Sequence, residues 1–302
     1  DMLRNAAYFI DTQKIPRQSF PLSGPVYAGD DSIEWLLFSD EKRSGVIQPT
    51  IPDFQEESIS FPYIYFAMLR KNQIEVFQKY GHCTPSHAHP DKMMQEVCAF
   101  RSRITHDLSN CGYAAAMCTE FHRTSVSHNT VVINGKSQTS ILPGELVSFS
   151  KDFLDIQIKN AYKGVDFRRK VQLVENGFSD VFLVNCDYRN TIDWFYHLDG
   201  ELIGEIVSVP KSLGFVEEGY QYLTKVRRVV TDGNVQEFLW KFENEVYGKQ
   251  KLFLNGAELY LSESPDNPPQ TNHSRTTIIL RYVGKNTQFV QEWEFYKKMQ
   301  EE

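Results

Sequence analysis

The hydrophobic positions of the chain follow a helical period at first and change to a period of two near residue 47. Residues 3–10 place apolar side chains at i, i+3, i+4 and i+7, which is one face of a helix, and Pro16 ends this pattern. A second short helix is predicted over residues 31–37. Because two such pieces cannot make a core by themselves, we expect a short helical tail that packs on other structure.

From residue 47 onward, apolar and polar side chains alternate in short runs that are rich in aromatic and β-branched residues. Gly, Asn and Asp separate these runs, and no segment of helical period lies between them, which argues against parallel βαβ units. The predicted strands are 59–70, 73–80, 130–135, 154–162, 165–174, 180–185, 191–198, 236–242, 251–261, 275–283 and 287–296.

Two Asn-Gly pairs, Asn134-Gly135 and Asn255-Gly256, are signals for hairpin turns, because Asn and Gly both accept positive φ. Together with the alternation, they predict a mostly β fold, a large antiparallel β-sandwich with a short helical N-terminal tail. We therefore expect the tail and its linker over residues 1–45 and the β-sandwich domain over residues 46–302.

The composition narrows the classes of partner. A net charge of −7 argues against nucleic acid, which is usually bound by a basic face. No apolar run approaches the roughly 18 residues of a membrane span, so no membrane partner is expected. An acidic ligand stays compatible with this charge, because a local basic cleft can exist on an acidic protein. The sequence also has no G-x-S-x-G, P-loop, dinucleotide fingerprint or H-E-x-x-H.

A cluster of histidines is the main candidate for chemistry. His87 and His89 are two residues apart, so extended backbone would point both side chains to the same face. Asp107 and His128 would complete a set of nitrogen and oxygen ligands suited to zinc, with room for water. Six of the eight histidines lie in this part of the chain: His82, His87, His89, His106, His122 and His128.

Two stretches within this cluster carry a resemblance to a known family. HAHPDK (87–92), an Asp followed by a nearby Gly and Tyr, and RTSVSHNTVVINGKSQ (123–138) resemble the β-sandwich half of the heparinase II/III-like polysaccharide lyases. Relatives in that family include heparinases and oligo-alginate lyases. Weaker similarities lie at AYKGVDFRRKV (161–171), at DWFYHLDGEL (193–202) and at GPVYAGDDS (24–32), which resembles the exit from the family's α/α toroid.

The resemblance implies a metal site. Matched by position, His89, Asp107 and His128 are implied as zinc ligands, while His106 stays an alternative to Asp107 as the middle ligand. Asp91 and Asn129 are implied as groups that orient these ligands. The zinc is expected to be mainly structural.

The resemblance also implies a reaction, the β-elimination of uronic-acid polysaccharides. It implies His87 and Tyr113 as catalytic residues and Arg123 and His122 as substrate contacts. In the family, an upstream α/α toroid domain supplies the main catalytic residues, so we expect that domain and an acidic polysaccharide or oligosaccharide as partners. This chain alone is then an incomplete and inactive lyase.

Two other functions stay open at this stage. One is a non-catalytic carbohydrate-binding or structural module that keeps a structural zinc. The other is a metal hydrolase that uses zinc-bound water, with His87 as acid and base. Two further expectations concern structure: residues 168–170, Arg-Arg-Lys, are predicted to be a solvated strand end, and the aromatic side chains of residues 193–198 are predicted to lie in the core.

Overall fold

The computed structural model describes residues 57–83, 87–108, 111–267 and 274–298, which belong to one compact unit. Most of their regular structure is β-strand. The strands are β1 Ile59–Phe61, β2 Phe66–Lys71, β3 Ile74–Lys79, β4 Gln95–Ala99, β5 Ser102–Thr105, β6 Val131–Ile133, β7 Glu145–Phe149, β8 Phe153–Tyr162, β9 Val165–Val174, β10 Gly177–Leu198, β11 Glu201–Ile203, β12 Ser208–Pro210, β13 Thr224–Val229, β14 Val235–Lys241, β15 Val246–Phe253, β16 Glu258–Pro265 and β17 Ser274–Lys297. The short helical turns are Cys118–His122, Ser125–Ser127, Tyr220–Tyr222 and Glu243–Glu245.

The first five strands form an antiparallel sheet in which each strand pairs with the next. In β3, side chains alternate between buried and half-buried, as a strand with one face on a core requires. Tight turns at residues 72–73 and 100–101 have φ between 49° and 63° at both positions, and this conformation matches the twist of paired strands. The connection between β3 and β4 is longer and carries the HAHPDK stretch.

Two long strands, β10 and β17, pair along most of their length and organise the larger sheet. Their register shifts between Asn185 and Asn190, opposite residues 284–286, and a bulge of this kind bends a strand. On one side of the bulge, the β10–β17 ribbon is flanked by β9 and β15, and on the other side by β6 and β16. The β10–β17 ribbon therefore pairs with two separate groups of strands, one on each side of its bulge.

The two Asn-Gly pairs behave differently. At Asn134-Gly135 the chain makes a tight turn, and Ile133 bridges Lys136, as predicted. The hairpin predicted at Asn255-Gly256 is wrong. The two residues do form a tight turn at positive φ, closed by a hydrogen bond from the amide of Ala257 to the carbonyl of Leu254, but the flanking strands β15 and β16 both pair with β17 and not with each other.

Two buried clusters hold these layers together. The larger one joins the five-stranded sheet, through residues such as Leu69 and Val76, to Phe167 and Phe182 of the larger sheet. The smaller one includes Phe121, Val126, Phe195 and Ile279 and lies beneath the helical turns. Burial of a side chain of this size contributes about 1.5–3 kcal/mol. The smaller cluster thus supports the backbone that leads to His128.

The predicted fold class is confirmed for the described residues, which form antiparallel sheets packed as a β-sandwich. The two predicted helices and the boundary at residues 45–46 lie outside those residues. Strands β4, β5, β7, β11, β12 and β13 were missed, and β10 and β17 were each predicted as two strands. The predicted strands 59–70 and 251–261 each cover parts of two strands. Residues 194–196 are buried, so the expected core role of these aromatics is confirmed. Within the described ranges, no helix is long and apolar enough to cross a membrane.

Candidate metal centre

Three chain segments bring the predicted ligands together. His89 lies in the connection between β3 and β4, Asp107 follows the end of β5, and His128 lies between the 3-10 turn Ser125–Ser127 and β6. One ligand atom from each of the three lies within 4.8 Å of the others. We call His89, Asp107 and His128 the candidate metal centre.

The three side chains differ in burial and in bonding. His128 is buried, whereas Asp107 and His89 are partly exposed, so the centre is reached from their side. His128 Nδ1 lies 2.5 Å from Asp107 Oδ1, and the rings of His89 and His128 are 5.3 Å apart. The candidate metal centre is therefore buried on the side of His128 and accessible to solvent on the side of His89 and Asp107, which we call its rim.

The donor set fits zinc on three grounds. Two imidazoles and one carboxylate are a common arrangement for this ion, with a fourth position left for water. His128 Nε2 is buried and has no hydrogen-bond partner among the described residues, which is costly for a polar atom unless something binds it. Burial, with a smaller contribution from the charge of His128, lowers the pKa of His89 to about 4, so this imidazole is neutral at pH 7, as a metal ligand must be.

Charged neighbours complete the electrostatics. Burial alone would raise the pKa of Asp107, but the bonded His128 and the nearby Lys79 outweigh it and lower this pKa. Lys79 also forms an ion pair with the buried Asp91. Sequence reasoning missed Lys79, because a lysine that alternates with apolar residues in a strand is usually solvated.

The two stretches that carry the family resemblance are bonded to each other. Ser125 Oγ donates to the carbonyl of Pro90 at 2.6 Å, and Thr130 Oγ1 donates to the carbonyl of Lys92. The amide of Lys92 donates to Gln138 Oε1 at 2.8 Å. The hydroxyl and amide side chains of the second stretch therefore fix the backbone that follows His89.

Asn129 fixes the backbone beside His128. Its Nδ2 donates to the carbonyl of Gln95 and to Thr105 Oγ1, and its Oδ1 accepts from the amide of His197. One side chain thus joins β4, β5 and β10 next to a candidate ligand. The predicted roles of Asn129 and Asp91 in orienting ligands stay predictions, and these contacts are consistent with that role for Asn129.

The two predicted catalytic residues are in contact. His87 Nδ1 is hydrogen-bonded to the phenol oxygen of Tyr113, and their rings meet edge to face with centroids 5.5 Å apart. Both side chains are exposed, and Tyr113 has 52% of its surface accessible. His87 is two residues from His89, so this pair lies near the rim of the candidate metal centre.

The two predicted substrate contacts lie in different environments. Arg123 is half-buried and close enough for its charge to act on His89. His122 is fully buried against the edge of Phe121, so a substrate could reach it only if the surrounding helical turn moved. Its role as a substrate contact stays a prediction.

His106, the alternative middle ligand, belongs to a different cluster. Its Nδ1 lies 2.7 Å from Asp199 Oδ2, and its Nε2 lies 3.1 Å from Asp266 Oδ1. With both ring nitrogens facing carboxylates, it is placed outside the candidate metal centre, whereas Asp107 is placed within it.

The predicted solvated strand end at residues 168–170 is wrong for Arg169. Its side chain is completely buried and bonded to Asp180, whereas Arg168 is partly exposed and bonded to Asp155. The signal for this was in the sequence: alternation along β9 places residue 169 on the same face as its buried apolar residues.

Comparisons with known proteins agree with this architecture. A family model described as heparinase II/III-like, C-terminal, matches residues 55–244, more than half of the 302-residue chain. A comparison with curated proteins finds no match. A solved heparinase III is 16% identical with a TM-score of 0.69, and the match covers 98% of this chain and 42% of that one. Heparan sulfate lyase HepC from Pedobacter heparinus is 13% identical with a TM-score of 0.65, over 99% of this chain and 43% of that one.

At these identities the two solved structures show the fold alone, and the chain spans less than half of the length of either. The match to the family model carries the assignment, since it includes both resemblance stretches and all three residues of the candidate metal centre. The chain belongs to the heparinase II/III-like C-terminal family.

Proposed function

We propose that this chain is the zinc-binding β-sandwich portion of a polysaccharide lyase that cleaves uronic-acid glycans by β-elimination. The observation that carries the proposal is an exposed, hydrogen-bonded His87–Tyr113 pair beside a cluster of two imidazoles and a carboxylate. Membership of the family supports the lyase class. One similar solved structure is a heparan sulfate lyase, and this supports an acidic glycan as substrate.

His89, Asp107 and His128 are the residues that would hold the ion, through two ring nitrogens and a carboxylate oxygen. When bound, zinc would supply a positive charge and a crosslink between three chain segments, whose ligands are successive in the chain at positions 89, 107 and 128. The segments themselves are already bonded to one another, so the protein prepares the ligands before the ion arrives.

Tyr113 and His87 would act on protons. In β-elimination a proton leaves C5 of the uronate, beside the C6 carboxylate, and the glycosidic oxygen departs from C4. The phenol oxygen of Tyr113 can take or give a proton, and His87 Nδ1, hydrogen-bonded to it, orients the phenol and stabilises the charge that forms. Arg123 would offer positive charge to the substrate carboxylate, whose neutralisation stabilises the developing enolate.

The remaining catalytic groups are proposed to come from an upstream α/α toroid domain. The share of the solved structures that the chain covers, 42–43%, leaves room for such a domain. Base, acid and carboxylate-neutralising group must be held in one cleft, because misplacing such a set costs orders of magnitude in rate. His87, Tyr113 and Arg123 form at most one wall of that cleft, so the chain alone should show no turnover.

The test is the ultraviolet absorbance of the 4,5-unsaturated uronate, with heparin, heparan sulfate, hyaluronan and alginate as substrates. We expect product only when the chain is joined to its native upstream segment. In that longer protein, Tyr113→Phe should lower turnover about 100-fold or more without changing zinc content. Tyr188→Phe is the matched control, because Tyr188 is also exposed but lies at the bend of β10. A longer protein that binds these glycans without cleaving them would favour the non-catalytic module.

A further inference from the structure

Arg169 is a buried guanidinium that contacts both segments carrying the imidazole ligands. Its Nη1 donates to the carbonyl of Met93 at 2.6 Å and to the carbonyl of Asn129 at 3.0 Å. Asn129 directly follows His128, and Met93 ends the turn that follows His89. One side chain, with none of its surface exposed, therefore ties the two segments to each other.

A buried polar network fixes the guanidinium in place. Asp180 accepts from Arg169 Nε at 2.9 Å and from Nη2 at 2.6 Å. Gln291 donates to Asp180 at 3.0 Å, and Gln250 donates to Gln291 at 2.9 Å. Trp240 in turn donates to Gln250. Because these groups are removed from water and bonded in series, the orientation of Arg169 is set from β10, β15 and β17.

The turn that Arg169 holds has an unfavourable backbone conformation. Met93 has φ of 60°, which non-glycine residues rarely adopt. Its carbonyl accepts a second bond, from Gln78 Nε2 at 2.7 Å. Unfavourable backbone persists where the surroundings hold it, and it is commonly found at functional sites. The two donors thus hold the turn that follows His89.

We propose that Arg169, oriented by Asp180, is a positioning residue of the candidate metal centre that sets the separation of His89 and His128. This inference rests on the proposed zinc site and adds a group that lies outside it. Groups that orient metal ligands typically change metal affinity 10–100-fold when altered. A purely structural pair would instead be replaceable by apolar side chains of similar size without consequence for the metal.

The experiment compares the zinc Kd of residues 1–302 in Arg169→Lys and Arg168→Lys, measured by competition with a chromophoric chelator. Arg168 is the matched control, because it precedes Arg169 on β9 and makes a similar two-bond pair with Asp155, at 2.8 and 2.6 Å, on the partly exposed face. Lysine keeps the charge but cannot bond Asp180 and two carbonyls as a planar fork. We expect zinc binding at least tenfold weaker for Arg169→Lys and within twofold of the parent for Arg168→Lys.

A second variant separates positioning from stability. Arg169→Met/Asp180→Leu removes both buried charges, so a folded protein is expected, with zinc affinity still at least tenfold lower and an altered visible spectrum of bound Co²⁺. If the zinc affinity of the variants falls only in step with the melting temperature of the metal-free proteins, the Arg169–Asp180 pair is merely structural and the inference is overturned. Parent-like affinity in both Arg169 variants would overturn this inference alone. No zinc binding by the parent would overturn the metal centre as well.

Discussion

Residues 106 and 107 are neighbours in the chain, yet their side chains enter two clusters of opposite character. The candidate metal centre combines two imidazoles with one carboxylate. The cluster of His106, Asp199 and Asp266, which we call the His106 cluster, combines one imidazole with two carboxylates, and Arg103 bonds to Asp199 at 3.0 Å. Both contain histidine and aspartate, but among the described residues only the first forms a group of three possible ligands close enough to share an ion.

The two clusters differ in the groups that face the ring nitrogens of their histidines. Both nitrogens of His106 face carboxylates, at 2.7 and 3.1 Å, and this favours a protonated ring whose nitrogens have no lone pair for an ion. Burial alone would lower the pKa of His106, but the bonds to Asp199 and Asp266 outweigh it and raise this pKa. In the metal centre, burial lowers the pKa of His89 to about 4 and keeps it neutral. The two side chains therefore differ in the form that their surroundings favour, which is neutral for His89, as a metal ligand must be, and charged for His106, as a salt bridge requires.

Removal of ligands is the strongest way to test this comparison. His89→Ala/His128→Ala should reduce zinc from one ion per chain to none, because one carboxylate cannot hold the ion. His106→Ala should keep the zinc, because its nitrogens are used by aspartates. Elemental analysis of the purified variants measures both, and full zinc occupancy in the double variant would end the assignment.

Chelation should have the next largest effect. If zinc binds only the folded chain, it stabilises by about 4 kcal/mol at a thousandfold excess over Kd. A chelator should therefore lower the melting temperature of the parent and leave that of His89→Ala/His128→Ala unchanged. The difference should shrink as the pH falls, because protonated imidazoles cannot bind the ion. An unchanged melting curve after confirmed metal loss would contradict a structural role.

The His106 cluster should show its own pH dependence. His106→Gln is expected to lower the free energy of unfolding by about 1–3 kcal/mol, because buried polar partners lose their bonds. Since the folded pKa of His106 is raised, its contribution is complete below the unfolded value of about 6.5 and is lost as the pH rises through the folded pKa. Denaturant unfolding of chelated protein at several pH values measures this, and a difference that grew with pH would refute the sign.

The smallest effect on zinc content and stability is expected for the exposed pair His87 and Tyr113. His87→Ala and Tyr113→Phe should leave zinc content unchanged and alter the free energy of unfolding by no more than about 0.5 kcal/mol, because both side chains are exposed. Zinc titration followed by thermal unfolding measures both quantities. Loss of zinc in His87→Ala would show that His87 is itself a ligand and would contradict its placement outside the candidate metal centre.

Much of the fold could be predicted from the sequence, because strand alternation is a local property. The strands β8, β9 and β14 were found within two residues of their bounds. The wrong predictions concern features that depend on pairing with strands far away in the sequence. Residues 187–190 and 284–286 have the composition of turns, but each continues a strand because the partner strand bends at the same place. Asn255-Gly256 failed for the same reason, since β17 pairs with both flanking strands.

The candidate site was predictable as a set of residues but not as a network. Spacing and family resemblance indicated His89, Asp107 and His128, and the structure places them together. The resemblance favoured Asp107 and left His106 as an alternative, and neither source indicated Lys79, because these points depend on what lies across the fold. Arg169 was recoverable from alternation, yet a charged residue inside a strand is easily assigned to solvent when its buried partner, Asp180, is unknown.

The long β10–β17 ribbon has a consequence for folding. Asn185 pairs with Asn286, and Cys186 bonds to Asn286 across 100 residues of intervening chain. Closing so large a loop has an entropic cost that slows folding. The contacts between β10 and β17 that offset this cost can form only after β17 has been synthesised. A nascent chain that ends at residue 244, where the family match ends, would expose β10 as an unpaired edge prone to aggregation. The family match over residues 55–244 therefore ends before β17, the strand that pairs with β10 over most of its length.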